Sequence, residues 1–217
     1  IILRNLLAKK IVDCKILELC SLILKGGNGI HDEDYQMIYF PGDDLFAIER
    51  PRGLPIGNLT SQFWANVYLN PFDHFVKREL HCPAYLRYVD DFILFADSSA
   101  QLHSWQNRII PYLARYRLVI HSPSSPKPVG EGISFLGFVV FPKHRRLKRR
   151  KGIYFQRKLR RMAKSYAQGE ISFSDVDACV QGWINHARYG NTIGLRKALF
   201  SSTRFVRGDV SKNPERI

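Results

Sequence analysis

Apolar residues recur at helical spacing from the start of the chain. In IILRNLLAKKIVDCKILELCSLIL, Leu3, Leu6, Leu7, Ile11 and the set from Ile16 to Leu24 keep a mostly 3.6-residue period. This predicts one amphipathic helix over residues 1–24, ended by KGGNG. The helix carries no start signal, so the chain is expected to be a fragment whose natural beginning is missing. Residues 30–50 read as irregular or extended, with PGDD at 41–44 as a turn. RGLPIGNLTSQFWANVYLN passes from a Pro/Gly loop into a helix starting near Asn58. Asn70 and Pro71 read as a cap and a first-turn proline, with Asp73 three residues after the cap, and a second helix over FDHFVKREL.

Residues 84–96, AYLRYVDDFILFA, predict two short strands around Val89-Asp90-Asp91. A helix follows over 99–117, with Leu102, Trp105, Ile109, Tyr112, Leu113 and Tyr116 on one face and a bend at Pro111. HSPSSPKPVGEG is a loop, ISFLGFVVF a strand and PKHRRLKRR a basic turn or strand. Beyond 152, Phe155, Leu159, Met162 and Tyr166 form an apolar helical stripe among Arg157, Lys158, Arg160, Arg161 and Lys164. Ser174 with Asp177 reads as the capping box of a last helix carrying Val176, Val180, Trp183 and Ala187, stopped at Gly190. The fold class is α+β: residues 1–142 mixed with an antiparallel hairpin, residues 143–217 a basic helical module. Phe63, Trp64, Tyr68, Phe135, Leu136 and Trp183 are all expected in cores rather than as stacking platforms.

Charge sharpens this division. Residues 1–100 carry 10 Lys/Arg against 13 Asp/Glu, whereas residues 101–217 carry 23 against 6. Within 143–164 there are 12 Lys/Arg and no acid. One charge run is ordinarily a solvated face. A whole half this basic, with interleaved aromatics, points to a polyanionic partner, most simply nucleic acid. Cys14, Cys20, Cys82 and Cys179 form no CxxC pair and no zinc spacing, which fits a reduced, intracellular protein. The apolar stretches are too short to span a membrane, and no signal peptide is evident.

The hairpin at 84–96 carries the chemistry. Burying two unpaired carboxylates, Asp90 and Asp91, inside an apolar run is costly. A turn open to water, a basic partner or a bound metal would offset the cost. On a hairpin rim both side chains can serve as hard oxygen ligands for Mg²⁺, and two such ions can clamp an in-line phosphoryl displacement. A plain polar turn is the alternative. Two ions need at least one more carboxylate. Asp43-Asp44 reads as an ordinary turn, Asp73 as a helix-start residue, and Asp97 lies past the strand, so the third acid is expected upstream of Ile1.

Tyr88-Val89-Asp90-Asp91 resembles the YxDD motif of reverse transcriptases. The other segments agree in order: RGLPIGNLTSQ at 52–62 resembles the loop-helix motif before it, ISFLGF at 133–138 the primer-grip hairpin after it, and the basic helices from about 150 the thumb. The resemblance covers nearly the whole chain. Where most retroviral and group II intron enzymes read QGxxxSP, this chain has Ile56-Gly57-Asn58-Leu59-Thr60-Ser61-Gln62, which resembles the enzymes of diversity-generating retroelements. Those copy a template-repeat RNA with errors at adenines and work with a small basic accessory protein.

The resemblance implies a palm with an antiparallel sheet and packed helices over 1–142, lacking the fingers and the first catalytic strand, then a basic helical thumb. It implies two Mg²⁺ ions (Mn²⁺ as an alternative) on Asp90 and Asp91. Ile56, Gly57, Asn58, Ser61 and Gln62 would line the nucleotide and template side. Lys127 sits where related polymerases keep a lysine near the leaving pyrophosphate, and reads equally as a loop lysine. Arg157, Lys158, Arg160 and Arg161 would follow the primer-template backbone. The partners would be an RNA template, a DNA or RNA primer and dNTPs in the cytoplasm of a prokaryotic cell, with no membrane. The fragment is expected not to polymerise alone. Two other readings stay open: a non-catalytic nucleic-acid-binding remnant, and a group II intron or retron-type enzyme. Ile56 offers shape but no hydrogen bond, which would loosen discrimination at the templating base. Replacing Ile56→Gln in the complete protein should therefore change the cDNA error spectrum at adenines; an unchanged spectrum on sequencing would sink the link.

Overall fold

The single helix expected over residues 1–24 is two. The structure, a computed structural model, describes residues 1–26, 38–49, 53, 54, 57–120 and 125–208. Helix α1 (Ile2–Ala8) stops, and Asp13 caps α2 (Cys14–Lys25), its carboxylate accepting from the Lys15 and Ile16 amides. The apolar period runs through the break unchanged, which is why it alone does not reveal it. Leu3, Leu7, Cys20 and Trp64 form a small core where α1 and α2 meet the next helix.

That helix, α3 (Leu59–His74), begins at the Asn58 cap, whose Oδ1 accepts from the Thr60 amide at 3.1 Å. It does not break at Asn70-Pro71. Pro71 lies inside it, and the chain continues into a π-helical turn over Phe75–Glu79. An interior proline costs about 3 kcal/mol. Burial offsets it, because Phe72, Phe75 and Val76 just beyond are all buried, each side chain contributing about 1.5–3 kcal/mol. The Pro71 carbonyl is engaged as well, accepting from the Tyr112 hydroxyl at 3.0 Å.

Strands β1 (Ala84–Tyr88) and β2 (Asp91–Phe95) form an antiparallel pair. Alternation sends Tyr85, Phe92 and Leu94 onto a core made with Phe72, Phe75, Val76, Leu80 and Cys82. Helix α4 (Ser99–Arg115) closes that core with Trp105, Ile109 and Leu113, spaced four residues apart, and Pro111 is accommodated within it. Chain contacts divide the protein into Ile1–Pro126 and Lys127–Ile217.

In the second unit, residues 133–141 are a hairpin rather than one strand. Strands β3 (Ile133–Phe135), β4 (Phe138–Val140) and β5 (Arg145–Leu147) pair antiparallel in that order. Leu136 occupies the loop and is 42% exposed, so it is not core. Helices α5 (Arg149–Ala167), α6 (Phe173–Ala187) and α7 (Ile193–Ser201) follow. Their core holds Phe155, Leu159 and Leu199, with Trp183 stacked on Phe155 at 4.1 Å. Helix α7 has no counterpart in the sequence reading. Gly190 does not cap α6; a Cβ there would meet the Phe138 ring at 3.1 Å and the Arg145 carbonyl at 3.2 Å, so the residue allows a close approach. Mixed helices and two small antiparallel sheets make the chain α+β. No helix among the described residues is long and apolar enough to cross a membrane.

The capping box of α6 is Ser172 with Asp175, not Ser174 with Asp177. Both pairs have the required spacing. The Ser172 register puts Ile171 before the cap and buried Val176 at the fourth helical position, the pair of sites that pack as a hydrophobic staple. Replacing Ser172→Ala should therefore destabilise the protein by about 1 kcal/mol, and Ser174→Ala by less than about 0.5 kcal/mol. Urea denaturation of both variants checks this; equal losses would overturn the register.

Candidate functional site

Tyr88 pairs with Asp91, so Val89 and Asp90 are the two loop residues of the β1–β2 hairpin. Two-residue hairpins need left-handed backbone at the first loop position, normally supplied by Gly or Asn. Here Val89 takes it, with φ 57°. Left-handed backbone costs a residue with a Cβ roughly 1–2 kcal/mol, and a β-branched one is an outlier there. Neighbouring structure must hold it.

Arg87 does so. Its Nη1 donates to the Val89 carbonyl at 2.7 Å and to Asn66 Oδ1 at 3.1 Å. Its Nε and Nη2 fork onto the Asp73 carboxylate at 2.7 and 2.5 Å. The Tyr85 hydroxyl also donates to Asp73, at 2.8 Å. Asn66 and Asp73 lie seven residues apart on α3, two turns along one face. Asn66 in turn donates from Nδ2 to the Gln62 carbonyl at 3.2 Å. A continuous hydrogen-bonded chain thus runs from the start of α3 to the hairpin tip. Burial pushes the Asp73 carboxyl up, but the hydrogen bonds from Arg87 and Tyr85 and the Arg87 charge outweigh it, and its pKa lies below the ordinary aspartate value. The same hydrogen bonds hold the Arg87 guanidinium more firmly protonated, against its burial. Burial, then the bond to Asp73, raises the Tyr85 hydroxyl.

Asp90 and Asp91 are both exposed, and neither carboxylate has a hydrogen-bond or ion-pair partner among the described residues. They stand on a turn open to water, and no basic side chain among the described residues pairs with them. Arg87, the one base in the run 84–96, serves Asp73 instead. The two carboxylates fit one side of a divalent-cation site: hard oxygen donors, adjacent, accessible and unengaged. Among the described residues no group of three or more His, Cys, Asp or Glu completes it. Asp43 is nearly fully buried and pairs with Arg117 at 2.5 Å, and Asp73 is taken by Arg87 rather than capping a helix.

Gly57 has φ 82° with no atom within 4 Å of where a Cβ would lie, so it meets a backbone need and leaves open space. Asn58 is the α3 cap, and Ser61 and Gln62 fall in the first turn. Ile56 lies outside the described residues. Trp64 is buried, but Phe63 is 64% exposed, against expectation. In the second unit Lys127 is exposed. Arg157, Arg160 and Arg161 are exposed on α5 and Lys158 is half-buried, and none makes an ion pair among the described residues. With Arg150 and Lys164, the exposed cations run along about 21 Å of helix. A concavity of about 360 Å³ between α1, α3 and α4, lined by Lys9, Lys10, His74, Arg78, Tyr112 and Tyr116 among others, does not include the carboxylates.

No protein-family model and no curated protein matches this chain. The reading therefore rests on the chain's own residues and their geometry. Sequence reasoning missed Asn66, Asp73, Tyr85 and Arg87 as parts of the site. The available signals were the lone base in 84–96 and two polar residues at heptad spacing on the apolar helix FWANVYLNPFDHFV.

Because Asp73 titrates lower in the folded chain, its stabilisation is complete above the ordinary value of 3.8. It is lost as pH falls from there through the depressed folded value. Asp73→Asn should be less stable than the wild type at neutral pH, and the gap should close on acidification. Urea midpoints from about pH 6 down to about pH 2 check this; a gap that stays constant would overturn the assignment.

Proposed function

We propose that this chain is the palm and thumb portion of an RNA-directed DNA polymerase, and that the β1–β2 tip carries its nucleotidyl-transfer carboxylates. The observation that carries the reading is the pair Asp90–Asp91, exposed and unengaged on a two-residue turn whose strained backbone is braced from α3. A site for plain solubility needs no such bracing. The motif order RGLPIGNLTSQ, YVDD and ISFLGF supports the reverse transcriptase class, and IGNLTSQ supports the diversity-generating retroelement type.

Asp90 and Asp91 would hold Mg²⁺, which when bound neutralises charge on the transferring phosphoryl group and lowers the pKa of the attacking hydroxyl. The chain's own residues set the frame. The α3 start offers backbone and small side chains at Gly57 and Ser61 for a nucleotide or template strand. The exposed cations of α5 would neutralise primer-template phosphates without reading sequence. A further carboxylate from outside the described residues belongs to this proposal.

The exposed cations along α5 also fit a second reading, a nucleic-acid-binding module that keeps the basic surface without catalysis. Primer extension on an RNA template by the complete protein carrying this sequence separates the two. The polymerase reading expects Mg²⁺- or Mn²⁺-dependent extension. Asp90→Asn or Asp91→Asn should lower it at least about a thousandfold, roughly 4 kcal/mol of transition-state stabilisation, with duplex affinity nearly unchanged. Removing Arg157 and Arg161 together should reduce the slope of log affinity against log salt by about 1–2. Salt-dependent binding with no extension by the wild type would leave the second reading standing.

A further inference from the structure

Among the described residues the two carboxylates make no contact that would fix their direction, so what aims them there acts through the backbone beneath. We propose that Arg87, locked by Asp73, is a positioning residue that holds Val89 in its left-handed conformation and thereby fixes where Asp90 and Asp91 are presented. The catalytic consequence rests on the polymerase reading; the conformational one does not.

The geometry admits little slack. All three guanidinium nitrogens are engaged, and the side chain is only 12% exposed. The two-pronged contact with Asp73 fixes both the position and the plane of the group. Its Nη1 can then reach the Val89 carbonyl in one place only, set by α3. A carbonyl held there resists rotation of the peptide that follows Val89, and that peptide carries Asp90. Without the bond, the Val89 Cβ favours return to the extended region, and the tip carboxylates move with it. Lysine keeps the charge but is a single-point donor that cannot fork onto Asp73 and still reach Val89.

The test is a double-mutant cycle of Arg87→Lys and Val89→Gly, since glycine holds positive φ without restraint. Arg87→Lys alone should lower kcat for primer extension about 10- to 100-fold, with little change in KM for dNTP or in melting temperature. In the Val89→Gly background the same substitution should cost under about threefold. A role in overall stability alone would not depend on the residue at 89 in this way. A second readout needs no activity: the three-bond HN–Hα coupling and carbon shifts of Val89 by NMR on the 217-residue chain. They should report positive φ in the wild type and an average with extended backbone in Arg87→Lys. Unchanged couplings in Arg87→Lys, or equal kinetic losses in both backgrounds, would overturn the proposal. Should the wild type extend no primer, the polymerase reading falls, and the coupling constants still decide the clamp.

Discussion

One guanidinium joins a helix, a strand and a turn, and the arrangement of the first unit's candidate site depends on it. The Arg87–Asp73 pair is worth little as net stability. The Arg87 side chain is 12% exposed and that of Asp73 30%, so solvent screens part of their attraction, and desolvation cancels much of the remainder. What the pair supplies is direction. A planar fork seated on a carboxylate has few alternative poses, so the remaining donor is aimed by the pair rather than by its own flexibility. The asymmetry of buried pairs adds to this. Either partner alone leaves an uncompensated charge, so the two stand or fall together.

The path of α3 makes that geometry available. A helix ending at Asn70, as local signals suggest, would cut Asp73 off from Asn66. Instead the helix runs through Pro71, keeps both residues on one face, and only then relaxes into the π-helical turn at Phe75–Glu79. The turn follows the last residue that has to face the strand. Beyond it, Phe75 and Val76 go to the core. Wide helical turns of this kind absorb a register change without ending the helix, and they recur near functional sites. The cost of the proline is spread over burial on its C-terminal side, a tertiary gain that no local propensity contains.

Much of the fold was legible because it is written in short-range periodicity. The β1–β2 hairpin, the α4 face, the α5 stripe and the Asn58 cap all follow from spacing within one element. The misses share one character. Ser172 and Ser174 offer the same capping spacing, and burial of Val176 chooses between them. The α1–α2 break keeps the apolar period on both sides of Asp13. Phe63 and Leu136 look like core by composition, but one lies on the outward face of α3 and the other in a loop. The site was legible in its carboxylates and not in its brace. Asp73 and Arg87 are separated by a helix end, a turn and most of a strand, and nothing local in either marks the other.

Two hairpin tips, one in each unit, break the same local rule. Val89 and Leu136 are apolar, carry a Cβ, take φ of 57° and 45°, and are 48% and 42% exposed. Each tip thus carries both backbone strain and unburied apolar surface, where Gly or Asn would remove both. The other left-handed non-glycine residues among those described, His81 and Arg117, are polar and need no such account. Local rules broken without gain in the chain's own packing are expected where an external contact supplies the gain. An apolar tip offers shape and dispersion to flat apolar surfaces, and the faces of bases and sugars are of that kind. At the first tip the three-way Arg87 clamp works against that strain, and on the proposed polymerase reading it is the clamp that keeps Val89 and the two carboxylates beside it turned outward to water.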